Sequence, residues 1–379
     1  MAAPTATYPT TPQFARSPIF ITLTKGAGGT DGLIDATLTL RIFAGDSTTS
    51  PAIDYTLYKT SINDAPITFE ISELIREKII SVLKQSSTNS YQNGTTEAVW
   101  CKFILSSNYV NAGTPDSGLI VNNASWLNTD GWLSFTQHTG TTTGRMVTNR
   151  TLYTAVGKDY VLSAYAPSRI YFFYRNVGAS WTNVANYTPG TTSASRIAYI
   201  PYDRVNASTF SGLGLNETFQ VGFGQDSATP SVVYTVSEIC EPKYDPVRIT
   251  FVNKFGVTDH LTFFKVSTED ATFTEETYMP QLSVSATTAA SVTQALQYRK
   301  FNVNSREVIT LNTGWVDENY ADIIKEVMLS EKISLNYEGV EFTANVVRDS
   351  VRYQKSINDR NINYTMAFEI AWDILNDIR

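Results

Sequence analysis

The stretch that decides the fold is residues 17–44, SPIFITLTKGAGGTDGLIDATLTLRIFA. Apolar residues recur in it at every second position: Ile19, Ile21, Leu23, Ala36, Leu38, Leu40 and Ile42. Successive side chains of a strand point to opposite faces, so a period of two predicts two half-buried β-strands. The Gly- and Asp-rich run at 26–32 predicts the turn between them.

Short strand patterns continue after this stretch, at residues 54–59, 67–71 and 98–105. Their even spacing is typical of a β-sandwich. Ser72 is a candidate N-cap for one helix that reaches Leu83.

The strands define the first domain and its N-terminal extension. We predict a β-sandwich with one helix over residues 17–106 plus 232–241. Residues 1–16, with three prolines, are predicted to form an extended N-terminal arm.

The middle of the chain, residues 107–231, differs in character. It has few charges, long Thr, Ser, Asn and Gly runs, and apolar residues in strand-like bursts. We predict an inserted all-β domain of the jelly-roll kind. The strand at 98–105 shows no hairpin partner, so we expect it to pair with residues 232–240. That pairing would bring Cys101 and Cys240 onto neighbouring strands as reduced thiols.

The C-terminal part, residues 246–379, combines strands with a helix predicted at 316–329. The helix has one apolar stripe, formed by Val316, Tyr320, Ile323, Ile324, Val327 and Met328. The predicted fold class is therefore mainly β, with β-sandwich and jelly-roll domains and a C-terminal α+β domain in one multi-domain chain.

Composition limits the function classes. The chain has 379 residues, a net charge of -7 and only 17% charged residues. Nucleic-acid binding without sequence preference needs clustered Lys and Arg, so this balance argues against it. No apolar run reaches the roughly 20 residues that span a bilayer. Residues 1–11 lack a secretory signal, so we expect synthesis in the cytoplasm and no membrane insertion.

Few residues are available for catalysis or metal binding. Cys101 and Cys240 belong to no CxxC motif, and His138 and His260 have no partner at metal-ligand spacing. The sequence contains no GxSxG, P-loop or dinucleotide-binding motif. We therefore predict no catalytic residue, no metal site, no cofactor and no enzymatic activity.

One acidic cluster comprises Glu269, Asp270, Glu275 and Glu276. Two carboxyls about 5 to 10 Å apart could serve glycoside hydrolysis. No aromatic-lined strands surround these residues, so we interpret the cluster as a solvated loop.

An aromatic run in the middle domain is the candidate glycan platform: Tyr171, Phe172, Phe173, Tyr174 and Trp181. A pyranose stacks its C–H face on an exposed ring while polar side chains bind its hydroxyls. Alternate residues of a strand face opposite ways, so one pair is predicted to be core and the other exposed. The alternative is that all five pack between sheets or against a neighbouring subunit.

A basic group near the C-terminus is the candidate subunit interface: Arg348, Arg352, Lys355 and Arg360. These side chains either meet an acidic neighbouring subunit or are solvated strand and loop charge.

Five stretches, at residues 17–23, 72–77, 243–269, 297–331 and 356–378, resemble virion structural proteins of tailed bacteriophages that infect Bacteroidota and marine bacteria. The resemblance covers the two ends of the chain and not the middle domain. Within the middle domain, LIVNNASWLNTDGWLSF separately resembles the opening of carbohydrate-binding jelly-roll modules.

The phage resemblance implies a non-enzymatic structural protein in the virion, as a scaffold in the tail, adaptor or baseplate that displays the middle domain outward. Its implied partners are other virion proteins and copies of itself in a ring-like homo-oligomer. One alternative is a glycan-binding adsorption protein, whose partner is host surface polysaccharide. The other alternative is a capsid decoration protein.

Overall fold

The structure is a computed structural model of the full chain. It describes residues 3–43, 52–84, 92–93, 97–133, 146–147, 151–155, 160–166, 169–187, 196–202, 218–239, 243–279, 298–347, 361–372 and 374–375. The chain divides into two compact units. The first comprises Met1–Cys240, Thr250–Leu261 and Asn319–Ser330, and the second comprises Glu241–Ile249, Thr262–Glu318 and Glu331–Arg379. Two segments of the predicted C-terminal domain thus belong to the first unit.

The described elements are mostly strands, with two helices. In chain order they are β1 Thr5–Thr7, β2 Gln13–Phe14, β3 Phe20–Thr24, β4 Gly32–Phe43, β5 Ala52–Thr60, β6 Ile67–Glu70, α1 Ser72–Arg76, β7 Gln92–Asn93, β8 Ala98–Asn111, β9 Thr114–Thr129, β10 Thr151–Ala155, β11 Tyr160–Ala166, β12 Ile170–Asn176, β13 Thr182–Tyr187, β14 Arg196–Tyr202, β15 Thr218–Gly224, β16 Val232–Ile239, β17 Val247–Val252, β18 Thr258–Phe263, β19 Thr268–Tyr278, β20 Arg299–Asp317, α2 Tyr320–Leu329, β21 Ile333–Tyr337, β22 Val340–Val346, β23 Asn361–Ile370 and β24 Ile374–Leu375. The mainly β, multi-domain sandwich prediction is confirmed.

The first sandwich contains the two strands predicted from residues 17–44, which are β3 and β4. A five-stranded sheet in the order β2-β9-β8-β4-β5 packs against a three-stranded sheet, β1-β3-β6. The core takes the alternating apolar residues, so Ile21, Leu38 and Phe103 are fully buried. The predicted N-terminal arm joins these sheets, because β1 pairs with β3 and β2 pairs with β9.

Strand β8 has its hairpin partner in β9. The two pair from Ala98 opposite Thr129 to Asn111 opposite Thr114, whereas β16 pairs with β10 and β15. The predicted pairing of residues 98–105 with 232–240 is therefore wrong. Strand β9 was missed because its first part is exposed and polar and carries no alternating apolar signal.

Cys101 lies in the core of the first sandwich. It is fully buried, and this burial raises the pKa of its thiol far above the usual range. Asn128 Nδ2 donates to its sulfur at 3.1 Å. Cys240, its predicted neighbour, lies outside the described residues.

Helix α1 ends at Arg76 rather than near Leu83. The Ile79 amide donates to the Arg76 carbonyl, a three-residue bond that closes the last turn. Ser81 Oγ then donates to Asp130 Oδ2 at 3.0 Å. This tertiary contact holds the following segment away from a helical path.

A second sandwich occupies the middle of the chain. Its sheets have the orders β10-β16-β15-β12-β13 and β11-β14-β7. The core between them buries Leu162, Phe172, Ile200, Val221 and Tyr234. The described residues of this region form two β-sheets, as predicted. Strand β9 belongs to the first sandwich, however, and β16, which was predicted to belong to the first domain, lies in the second sandwich.

A separate apolar cluster buries one end of the opposite face of the first sandwich's large sheet. Trp100 and Leu127 lie in this cluster with Val161 and Tyr199 of β11 and β14. Strand β8 is therefore buried on both faces only at its start, from Ala98 to Cys101.

An eight-stranded sheet has the order β18-β17-β21-β22-β23-β20-β19, with β24 also paired to β20. Its strands β19 to β24 lie in the second unit. One face of the sheet is apolar. Ile309 and Leu311 of β20 lie opposite Phe368 and Met366 of β23, and all four are buried. The residues between them point to the other face, as expected for an antiparallel sheet that meets water on one side.

Helix α2 begins at Tyr320, whereas the sequence predicted a start at Val316. Val316 instead ends the buried face of β20, opposite Ile362, and is 1% exposed. Sheet pairing overrides the helical spacing at that residue. Of the remaining stripe, Tyr320, Ile323, Ile324 and Val327 are buried as predicted, and Met328 is half-buried.

A buried polar cluster lies in the first unit around Asp259. Asn253 Nδ2 and the His260 amide donate to its carboxylate at 3.2 and 2.8 Å. Lys254 pairs with the buried Glu326 at 3.3 Å. Burial, followed by the charge of Glu326, raises the pKa of Asp259 to about 7.

The raised pKa of Asp259 predicts that stability falls as pH rises. Below about pH 7 the folded state binds this proton more tightly than the unfolded state does. The free energy of unfolding therefore decreases as the pH rises towards about 7. Between pH 6 and 8 the wild type should lose about 1 kcal/mol more stability than Asp259→Asn. Urea unfolding of both proteins at the two pH values measures this difference. Equal pH dependence in both proteins would contradict it.

The core assignment predicts a large difference between two phenylalanines of the first sandwich. Phe103→Ala leaves a cavity in the core and should cost about 3–5 kcal/mol of unfolding free energy. The control Phe20→Ala, at a side chain 45% exposed, should cost about 0.5 kcal/mol or less. Denaturant unfolding followed by tryptophan fluorescence compares them. Equal costs would show that Phe103 is not part of the core.

Candidate interaction surfaces

The hairpin of β19 and β20, called the arm below, is the most exposed regular structure described in the second unit. All eleven residues of β19 are exposed. The strands pair from Thr268 opposite Thr310 to Tyr278 opposite Arg299. Strand β20 has 19 residues, but its buried apolar positions begin only at Ile309. The arm therefore extends beyond the core of its own unit.

The arm carries large apolar side chains in contact with solvent. Phe273, Tyr278 and Phe301 in its strands, and Met279 and Tyr298 directly next to them, are 44 to 69% exposed. Tyr278 and Phe301 touch each other with ring centroids 5.5 Å apart. Two paired strands alone are marginally stable in water, so an arm of this kind gains from a further covering surface.

The outer edge of the arm is also open. Strand β19 stands at the end of the sheet order, so no described strand pairs with its far side. An edge of this kind presents unpaired amide and carbonyl groups that can accept another strand.

The predicted acidic cluster lies on the arm, in a strand rather than in the expected loop. Glu269, Asp270, Glu275 and Glu276 are all exposed residues of β19, so the expected solvation is observed. Glu275 pairs with Lys300 across the hairpin at 2.5 Å. The sequence predicts a loop here because alternation of charged and small residues gives no apolar signal.

The aromatic run of β12 offers less ring surface than the glycan platform requires. Phe172 and Phe173 are buried, at 4% and 1% exposure, so neither can stack on a sugar. Tyr171 and Tyr174 are half-buried. The expectation of one buried pair and one exposed pair is wrong, because the two sides of β12 each bury one phenylalanine beside one half-buried tyrosine.

Trp181, the fifth member of the predicted platform, is half-buried and already partnered. The Arg175 guanidinium lies 4.2 Å from its ring centroid, and Phe173 packs at 6.4 Å from it. The Trp181 ring therefore packs against Arg175 and Phe173 of its own chain.

The predicted basic interface lies outside the described part of the chain. Arg348, Arg352, Lys355 and Arg360 lie outside the described residues, and so does His138.

His260 is buried, and its Nδ1 lies 3.0 Å from Thr250 Oγ1. Within the described ranges, no cluster of three His, Cys, Asp or Glu residues could hold a metal ion. Neither described helix is long and apolar enough to cross a membrane.

A groove of about 470 Å³ lies on the solvent face of the second unit's sheet. Its floor is formed by side chains of three neighbouring strands: Thr268, Thr310, Asn312, Trp315, Asn363 and Thr365. Tyr244, Lys265, Val266 and Gly314 complete the lining. The sequence interpretation missed this groove, because Trp315 falls within the segment that changes from strand to helix.

A β-bulge places Trp315 in the groove. Positions 309 and 311 face the core, so unbroken alternation would also turn residue 315 inward. The pairing of β20 with β23 instead shifts between Asn312 and Trp315, and Gly314 adopts a φ of +72°. The extra residue reverses the alternation, so Trp315 points to solvent with 69% exposure and Val316 points to the core.

Two hydrogen bonds between backbone amides and side chains hold this bulge in place. The Gly314 amide donates to Asn312 Oδ1 at 2.8 Å, and the Tyr364 amide donates to Thr313 Oγ1 at 3.0 Å. A Cβ on Gly314 would lie 3.2 Å from the Lys265 side chain. The position of Trp315 is therefore fixed by the sheet and not by a loop.

Comparison with known proteins identifies no family. No family model and no curated protein matches the sequence. Among solved structures, CBD12 from CALX1.2 aligns at 10% identity over 60% of this chain and 96% of its own, with a TM-score of 0.15.

Two larger structures align as weakly. Red sea bream transglutaminase aligns at 12% identity over 63% of this chain and 31% of its own, with a TM-score of 0.19. The alpha-2-macroglobulin of Escherichia coli aligns at 8% identity over 96% of this chain and 21% of its own, with a TM-score of 0.20. At these TM-scores the three structures indicate nothing about the function of this chain.

Proposed function

We propose that the protein is a non-catalytic structural subunit of a tailed-phage virion, in the tail, adaptor or baseplate, and that it assembles with copies of itself through the arm. The observation that carries the proposal is β19, a strand of eleven consecutive exposed residues at an open sheet edge. The resemblance of both chain ends to phage virion proteins supports the same assignment.

The arm supplies what a repeated subunit contact needs. A strand of a neighbouring copy that adds to β19 satisfies the edge amides and carbonyls, and this fixes the register of the contact. Burial of an exposed phenylalanine such as Phe273 contributes about 1.5–3 kcal/mol. Phe273 lies opposite Ser305, on the face of β20 that also carries the buried Ile309. A neighbouring copy that covers Phe273 would therefore extend the apolar core of this subunit across the contact.

Charge on the arm adds specificity to this contact. Glu269, Asp270 and Glu276 lie along the edge strand β19. Their carboxylates favour a neighbouring copy that presents hydrogen-bond donors or cations to them. A contact that joins one patch to a different patch on the next copy closes into a ring when the rotation permits. The arm is therefore suited to head-to-tail assembly of identical subunits.

A charge placed at Phe273 should weaken self-assembly. Phe273→Asp keeps the exposed side chain out of its own core but opposes burial in a neighbour, so oligomers should dissociate at about tenfold higher concentration or more. The control Val340→Asp alters another exposed apolar residue of the same unit, at 52% exposure. Sedimentation velocity of the full chain over a concentration series measures both.

Assembly of the wild type and Val340→Asp with loss of assembly in Phe273→Asp supports the proposal. A wild type that stays monomeric throughout the series contradicts self-assembly, and equal effects of the two variants contradict the role of the arm. Immunogold labelling of purified phage particles tests the location. Label on the tail or its tip supports the tail assignment, label on the head makes the protein a capsid decoration, and absence of label removes the virion assignment.

A further inference from the structure

We propose that the Trp315 groove binds a saccharide, with a pyranose ring stacked on the indole of Trp315. The groove lies where β19 and β20 meet β23, away from Phe273, and the inference does not depend on the proposed assembly function. It also places the sugar site outside the middle domain, where the sequence pattern had suggested it.

The indole is presented in the manner that sugar stacking requires. Trp315 is 69% exposed, and its backbone is held within a paired strand by the bulge. When an apolar surface covers a large exposed aromatic side chain, the removal of both surfaces from water stabilises the complex. The C–H face of a pyranose is such a surface, and its hydroxyls then lie at the ring's edge, where neighbouring polar groups can reach them.

The groove supplies those polar groups from adjacent strands. Asn312 lies opposite Thr365, and Trp315 lies opposite Asn363. Asn312 Nδ2 donates to Thr365 Oγ1 at 3.0 Å, which orients both side chains along the floor. Amides and hydroxyls both donate and accept hydrogen bonds, as sugar hydroxyls do. The arrangement thus matches a ligand with alternating donors and acceptors around an apolar face.

The charged residues of the groove favour saccharide binding without hydrolysis. Among the residues that the structure describes, the lining contains no carboxylate and one cation, Lys265. Glycoside hydrolysis uses a pair of carboxylates, which these described lining residues do not provide. The volume of about 470 Å³ lies within the roughly 300–1,000 Å³ of small-ligand sites. Both neutral and uronic-acid-bearing saccharides offer the same stacking face, and Lys265 would favour the second.

A single-stranded nucleic acid is the other ligand that stacks on aromatic rings. Such sites combine stacking with a basic groove that follows the phosphates. The ten described residues that line this groove include one lysine, and the chain carries a net charge of -7. The saccharide is therefore the ligand the groove favours.

The experiment uses the full chain in affinity electrophoresis and isothermal titration. The probes are a neutral glucan, a mannan, a chitin oligosaccharide, a polygalacturonate oligosaccharide and oligo(dT). Trp315→Ala should weaken saccharide binding by about tenfold or more, because the stacking face is lost. Asn363→Ala should weaken it by about threefold, because one exposed hydrogen-bonding group is lost.

The matched control is Trp372→Ala. Trp372 is 73% exposed in the same unit but does not line the groove, so its replacement should leave binding unchanged. Phe273→Asp should also leave binding unchanged, which separates this inference from the assembly proposal. A preference for polygalacturonate that Lys265→Met removes assigns the acidic class of saccharide, and equal binding of neutral probes assigns the neutral class.

Three results would overturn the inference. The first is no binding of any saccharide probe by the wild type at millimolar concentration. The second is equal loss of binding in Trp315→Ala and Trp372→Ala. The third is binding of oligo(dT) in preference to every saccharide, which would assign the groove to single-stranded nucleic acid.

Discussion

The length of β20 relative to its core is the constraint on which both interaction surfaces depend. The strand has 19 residues, and its buried apolar residues, Ile309, Leu311 and Val316, all lie in its C-terminal half. Pairing with β23 anchors that half. The N-terminal half pairs with β19 and carries the arm beyond the core. One strand thus holds a rigid base and an exposed extension.

The same strand controls which side chains reach solvent. Side chains alternate with a period of two, so a single extra residue reverses every position that follows. At the bulge this reversal sends Val316 into the core and Trp315 outward beside Asn312 and Thr310. The change in side-chain alternation within β20, rather than a loop, therefore places Trp315 in the groove. A Trp on a strand keeps its place at low entropic cost when a ligand binds.

Much of the architecture follows from local sequence. Strands β3 and β4 could be predicted because Ile21, Leu23 and Leu38 repeat with a period of two over a real core. The two-sheet character of the middle domain was predictable for the same reason. Strand β9 was not, because its exposed first part has no apolar alternation, and only tertiary pairing to β8 reveals it. At Val316 the helical and strand periods coincide, and only the sheet decides between them.

The candidate sites were harder to predict than the fold. An aromatic run such as Tyr171 to Tyr174 indicates ring content but not which rings a second sheet covers, and the structure buries Phe172 and Phe173. Trp315 gives no local signal, because its exposure depends on a bulge set by Thr313, Gly314 and the Tyr364 amide. The arm likewise depends on where the core ends, which is a property of the assembled sheet.

The measurement that tests the central claim most directly is hydrogen–deuterium exchange of the full chain, at a concentration where it is monomeric and at one where it is assembled. The account predicts that amides of β19 exchange rapidly in the monomer and become protected on assembly, while those of β23 change little. Assembly with unchanged exchange in β19 and new protection elsewhere would contradict the claim that the arm joins the subunits.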